Sequence, residues 1–153
     1  MEEYWRDVPD YEGLYQINID TKECRCRSLN YKQTGTIKEL SNKPNKRFNR
    51  IYWGLRKNGK TEKPQAAVWV AKTFPELVQN EYFEGAEIDH IDTDRLNNQP
   101  NNLRWVTRKE NLNNPLTIIN NSNAQKQKTF TLEHRNKIIE GVRRYHNKKK
   151  RIN

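Results

Sequence analysis

The sequence predicts a small α+β protein: an N-terminal antiparallel β module, then a strand–loop–strand–helix core, then a C-terminal basic helix. Three observations point there. Apolar residues alternate in short runs between turn residues as far as about residue 63, as in "LYQINI". The spacing then becomes helical at Ala66, Ala67, Val70 and Ala71. Beyond them a long polar loop, "TDRLNNQPNN", separates two strand-like runs, "AEIDHID" and "LRWVT".

In the β module, residues 1–63, Pro9 and Gly13 punctuate the start and "LYQINI" forms a strand. "IDTKECRCRSL" reads as a turn and a second strand, "GTIKEL" continues the pattern, and Asn58-Gly59 marks a tight hairpin turn. In the core, residues 64–114, the helix over "PQAAVWVAKTFPEL" has Pro64 near its start and is stopped by Pro75. After "LRWVT", Thr107 caps a short helix, "RKENLNN", which Pro115 ends. Residues 115–130, rich in Asn, Gln, Ser and Lys, read as a linker. Residues 131–153 read as a helix and tail, with Thr131 as cap and Glu133 in the first turn. Ile138, Ile139, Val142 and Tyr145 make its apolar stripe; Arg135, Lys137, Arg143, Arg144 and the run 148–151 are basic.

With 153 residues, 33% hydrophobic and 31% charged, any core is modest. Four Trp, seven Tyr and four Phe show that packing is nevertheless intended. No run approaches about eighteen apolar residues, so no membrane-spanning helix is expected. The acidic start "MEEYWRDVPD" is not a secretory signal. Cys24 and Cys26 alone cannot close a four-ligand zinc site, and they read as thiols on alternate strand positions of a reduced, cytoplasmic protein.

The net charge of +10 is unevenly spread. Residues 124–153 hold ten Lys/Arg against two Glu, a net of +8, which leaves +2 for the first 123 residues. Residues 43–63 hold eight Lys/Arg and one Glu, interleaved with Phe48, Tyr52 and Trp53. Each patch alone could be a solvated face or tail. Together they favour a nucleic acid, because neutralising phosphates releases condensed counterions. Lys46, Arg47, Arg50, Arg56, Lys57, Arg143 and Arg144 are the candidate contacts.

The passage from residue 86 to 114 carries the candidate chemistry. Hydrolysing a phosphodiester needs a cation to stabilise phosphoryl and leaving-group charge, a base for water, and a scaffold to align them. Asp89 offers a carboxylate oxygen and Asn111 an amide oxygen, hard donors that suit Mg²⁺ or Mn²⁺. His90 has the ring that takes a proton near neutral pH. Neighbours on a regular strand point to opposite faces, so Asp89 and His90 share a site only if the strand ends or twists there. Asp92 and Asp94 read as loop residues, and Asn97, Asn98, Asn101, Asn113 and Asn114 as turn residues.

"EIDHIDTDRLNNQPNNLRWVTRKENLNN" closely resembles the HNH motif of phage and intron-encoded homing endonucleases, its positions falling on Asp89, His90, Asn102 and Asn111. "YWRDVPDYEGLYQINIDTKECRCRSLN" looks like the nuclease-associated modular domain that often precedes this motif. The resemblance implies a ββα-metal (His-Me finger) core with one divalent cation, His90 as general base, and Asp89 and Asn111 as metal ligands. It also implies that Asn102 pins the loop that holds His90, and that cleaved DNA carries 5′-phosphate and 3′-hydroxyl ends. Arg104 and Arg108 are further candidates for phosphate contact. Two departures stand out. Val68-Trp69 replaces the usual His-Arg before the helix, and the last motif position is Asn rather than His.

The expected function is metal-dependent nicking or cleavage of double-stranded DNA by a phage or mobile-element homing endonuclease. It would act as a monomer or weak dimer in the cytoplasm of a bacterial or phage-infected cell. The alternative is a non-catalytic DNA-binding protein that retains the scaffold. A protein-binding adaptor would lack the strong salt dependence that both DNA readings require.

Overall fold

Alternation in the N-terminal third builds a four-stranded antiparallel sheet in the order β1 (Arg6–Asp7), β2 (Tyr15–Asn18), β3 (Arg25–Tyr31), β4 (Thr36–Glu39). The computed structural model describes residues 4–126 and 131–150, with the backbone alone at Lys126 and residues 145–150. Residues 127–130 of the expected linker and Arg151 lie outside the described residues, as do the side chains of Tyr145, His146 and residues 148–150.

Ile17 and Cys26 pair across β2 and β3 and are both fully buried. A second antiparallel pair, β5 (Leu55–Lys57) and β6 (Lys60–Glu62), turns at Asn58 and Gly59, with φ of 50° and 76°. Left-handed φ at both central positions is the hairpin geometry that an Asn-Gly pair favours.

Helix α1 (Ala66–Thr73) runs until Pro75 prevents its continuation. Its buried residues include the expected Ala66, Ala67, Val70 and Ala71, and also Trp69. Trp69 meets the Tyr11 ring edge-on at 5.4 Å and donates from Nε1 to the Trp53 carbonyl at 3.2 Å. The Val68-Trp69 departure therefore serves packing.

The same core cluster takes in Val8, Ile17 and Cys24 from the sheet region, Ile51, Trp53 and Leu55 before the hairpin, and Ile88, Leu103 and Trp105. Each large side chain buried this way contributes roughly 1.5–3 kcal/mol. The β module and the strand–loop–strand segment share this one cluster, and both lie in a unit spanning Met1–Thr117.

Strands β7 (Glu87–His90) and β8 (Leu103–Val106) form a two-stranded ribbon, with Asp89 opposite Arg104 and His90 opposite Leu103. Residues 78–80 flank β8 on its other edge: the Gln79 N–H donates to the Leu103 carbonyl at 3.0 Å, and the Gln79 carbonyl accepts from the Trp105 N–H at 3.1 Å. Thr107 then caps α2 (Arg108–Leu112) in a reciprocal arrangement with Glu110.

The stretch expected as a linker is helical over α3 (Pro115–Lys126). Asn114 Oδ1 accepts the Leu116 N–H at 3.1 Å, so Asn114-Pro115 works as an N-cap followed by a proline in the first helical position. Pro115 thus starts a helix as well as ending one.

The second unit, Ile118–Asn153, contains α4 (Leu132–Lys150), which Thr131 caps by accepting the His134 N–H at 3.3 Å. Ile138, Ile139 and Val142 of its apolar stripe are about half exposed.

Candidate active site

The ribbon sorts its residues by face. Glu87 and Asp89 alternate with Ile88 and His90 along β7, so the two acids share the side on which α2 lies. Glu87 accepts from Arg108 Nη1 at 2.8 Å and from Asn111 Nδ2 at 2.7 Å. Those two partners hold its carboxyl below the usual carboxylate range. Asp89 is buried, and its Oδ2 accepts from Arg104 Nε at 2.9 Å, Arg104 Nη2 at 2.7 Å and Asn114 Nδ2 at 3.0 Å. Among the described residues, Asp89 Oδ1 and Asn111 Oδ1 make no hydrogen bond.

Asp89 and Asn111 therefore lie on one side of the ribbon with no hydrogen bond between them; each bonds to a neighbour of the other. Arg104 and Arg108, expected at phosphate, are engaged in ion pairs with Asp89 and Glu87. Sequence reasoning passed over Glu87 and treated Asn114 as a turn residue, although it is 3% exposed and bonded to Asp89. Its alternation with Asp89 could have flagged Glu87; nothing local distinguishes Asn114 from Asn113.

His90 faces the other way, toward the core, and is only 3% exposed. β7 stays regular up to His90 and ends there, so Asp89 and His90 are adjacent along the chain but project to opposite faces. His90 Nε2 lies 3.2 Å from Asn98 Oδ1. Burial lowers the imidazole pKa; the Asn98 contact works against that shift and the Arg50 charge works with it.

Asn102 closes the loop between the strands. Its Nδ2 donates to Asp92 Oδ1 and to the Asn97 carbonyl, both at 2.9 Å, and its Oδ1 accepts the Asp92 N–H at 3.1 Å. The Asn102 carbonyl also takes the Ile91 N–H at 2.9 Å, immediately after His90.

A divalent cation is the group that the resemblance implies. Glu87, Asp89, Asn111 and Asn114 form an all-oxygen donor set of carboxylates and amides, which suits a hard dication. Two of these oxygens carry no internal hydrogen bond, so the residues fit such an ion. Among the described residues no group of three or more His, Cys, Asp or Glu could hold a metal, so the amides are needed to complete the set. Cys24 and Cys26 lie in the core with thiols pushed up to about 12 by burial.

A groove of about 500 Å³ opens beside the acidic face. Glu87 and Asn111 line it together with Arg50, Lys72 and Arg108. Of the other expected DNA contacts, Lys46, Arg47, Arg56, Lys57, Arg143 and Arg144 are exposed. Arg56 and Lys57 line a second groove, of about 760 Å³, along with Tyr31 and Lys32.

Comparison with known proteins finds relatives of this chain. Residues 80–113 match the family HNH endonuclease. The chain is 37% identical over 123 residues to the DNA endonuclease I-HmuI of Bacillus phage SP01, a match covering 79% of this chain and 63% of that protein. It superposes on a structure of the HNH homing endonuclease I-HmuI, described as binding and cleaving DNA, with a TM-score of 0.54 at 30% identity. That superposition covers 90% of this chain and 66% of the other. The chain thus spans a little under two thirds of the relative it matches. The expected resemblance is borne out for the segment: residues 80–113 match the HNH endonuclease family, and the α+β scaffold is similar to that of I-HmuI.

Proposed function

We propose that the chain is a metal-dependent DNA endonuclease, a phage or mobile-element homing enzyme that nicks or cuts double-stranded DNA. The observation that carries this reading is the pairing of Glu87 with Asn111 and of Asp89 with Asn114 on one side of the ribbon, next in sequence to an imidazole whose charged form burial disfavours. Asp89 and Asn111 would hold the ion, with Glu87 and Asn114 supporting them. A bound Mg²⁺ or Mn²⁺ supplies stabilisation of charge on the phosphoryl and leaving oxygens.

His90 would take the proton from the attacking water, and Asn102 would keep the loop around it closed. The product ends would be 5′-phosphate and 3′-hydroxyl. Phosphates would enter the groove rimmed by Arg50, Lys72 and Arg108, and Arg56 and Lys57 would extend the track. The chain would act in the cytoplasm of a bacterial or phage-infected cell, as a monomer or weak dimer. As a monomer, its one core would nick.

A second reading, a non-catalytic DNA-binding protein on the same scaffold, has one observation in its favour. The Asp89 carboxylate is already occupied by Arg104 and Asn114, and His90 is nearly enclosed. Incubating supercoiled plasmids carrying varied target DNA with the protein separates the two. Conversion to nicked or linear DNA with Mg²⁺ or Mn²⁺, and none with a chelator, supports the enzyme. Retarded but uncut DNA under every metal supports the binding protein.

A further inference from the structure

Asn98 sits where the loop of the HNH segment meets the N-terminal sheet, and it is 2% exposed. Its N–H donates to the Lys22 carbonyl at 2.9 Å, and its own carbonyl accepts from Cys24 Sγ at 3.3 Å. Its Nδ2 donates to the Glu23 carbonyl at 3.1 Å. The next residue, Gln99, donates from Nε2 to the Ile19 carbonyl at 2.8 Å and to that of Thr21. The turn at residues 19–24 therefore grips the loop at two successive side chains.

This grip fixes more than position. A carbonyl only accepts, so Glu23 determines which end of the Asn98 amide is the nitrogen and which is the oxygen. The oxygen then faces His90 Nε2, and since it too only accepts, the ring nitrogen must carry the proton. Nδ1 is left with the lone pair. It makes no hydrogen bond among the described residues. Among the described residues, the solvent-excluded side-chain polar atom without a partner is Asn97 Oδ1, so Nδ1 still reaches solvent.

We propose that Asn98 is a positioning residue for His90, fixing its orientation and its Nε2–H tautomer, and that the 19–24 turn of the N-terminal sheet holds Asn98 in place. The sheet is then a working part of the cleavage site as well as a DNA-binding attachment. The inference rests on the reading of His90 as the base.

The test uses the full chain labelled with ¹⁵N-histidine, at a pH where the ring is neutral, with the His90 signal assigned by its absence in His90→Ala. Long-range ¹H–¹⁵N spectra of the wild type are expected to show Nε2–H. Asn98→Leu, which removes the acceptor, should give a mixture of tautomers. It should also slow single-turnover cleavage by about 10- to 100-fold with DNA affinity within about twofold. Asn98→Asp keeps an acceptor beside Nε2 but loses the donor to the Glu23 carbonyl, so it should keep the Nε2–H form while recovering only part of the rate.

An Nδ1–H ring in the wild type or in Asn98→Asp overturns the proposal, even if Asn98→Leu fails to fold. So does an Asn98→Leu protein with unchanged tautomer and rate while His90→Ala is inactive. If His90→Ala itself cleaves normally, the reading of His90 as base is what has failed.

Discussion

Asp89 and Arg104 face each other across β7 and β8, with Arg104 Nε and Nη2 at 2.9 and 2.7 Å from one oxygen of a nearly buried carboxylate. The pair explains how an acid can lie beside the core. Removing the guanidinium leaves that charge with the Asn114 amide alone. Arg104→Ala should therefore cost about 2 kcal/mol of unfolding free energy in metal-free urea titrations. Adding Asp89→Asn to it should cost less than the sum of the two single changes, because the charge that was left unpaired is gone.

The imidazole of His90 should titrate below the 6.5 of an unperturbed ring, because burial disfavours its charged form. Two consequences follow with opposite readouts. With His90 as the proposed base, activity should persist below pH 6.5 before falling on the acid side. Stability should decline as the pH falls from about 6.5 toward the folded-state value, since the unfolded chain takes up the proton first. Rate and denaturation profiles between pH 5 and 8 measure both.

Asn102 ties the start of the interstrand loop to its end through Asp92 and Asn97. Asn102→Ala breaks three hydrogen bonds of a half-buried side chain, one of which serves the backbone N–H of Asp92. The expected loss is about 1–3 kcal/mol of stability. Hydrogen exchange at Asp92 should rise in parallel, and cleavage should slow.

Removing Arg56 and Lys57 should weaken DNA binding in a manner that depends on salt more than on sequence. Both side chains are exposed and line the groove that also holds Tyr31 and Lys32. If both contact phosphates, the double alanine variant should lower the slope of log K against log salt by about 2. Titrations of wild type and variant at four or five salt concentrations give that slope.

Much of this layout was legible in the sequence because its signals are local. Asn58-Gly59 encodes a turn through its backbone preferences, Pro75 stops α1, and Thr107 with Glu110 closes a capping box. What could not be read depends on contacts distant in sequence. Asn98 looks like any loop asparagine until the turn at residues 19–24 is folded against it. Asn114 looks like a turn residue because nothing local reveals that its amide reaches Asp89, 25 residues earlier. The helix over residues 115–126 went unread for another reason: polar composition outweighed the Asn114-Pro115 start signal. The shared site expected of Asp89 and His90 needed an irregular strand end; β7 instead stays regular up to His90, and the two side chains project to opposite faces.

The central claim is that His90 is the base in a DNA-cleaving site. Single-turnover cleavage by wild type and His90→Ala, with affinity for the same DNA measured in parallel, tests it most directly. The expected result is a loss of about 10²- to 10⁴-fold in the cleavage rate with affinity nearly unchanged. A His90→Ala protein that cleaves at the wild-type rate would contradict it.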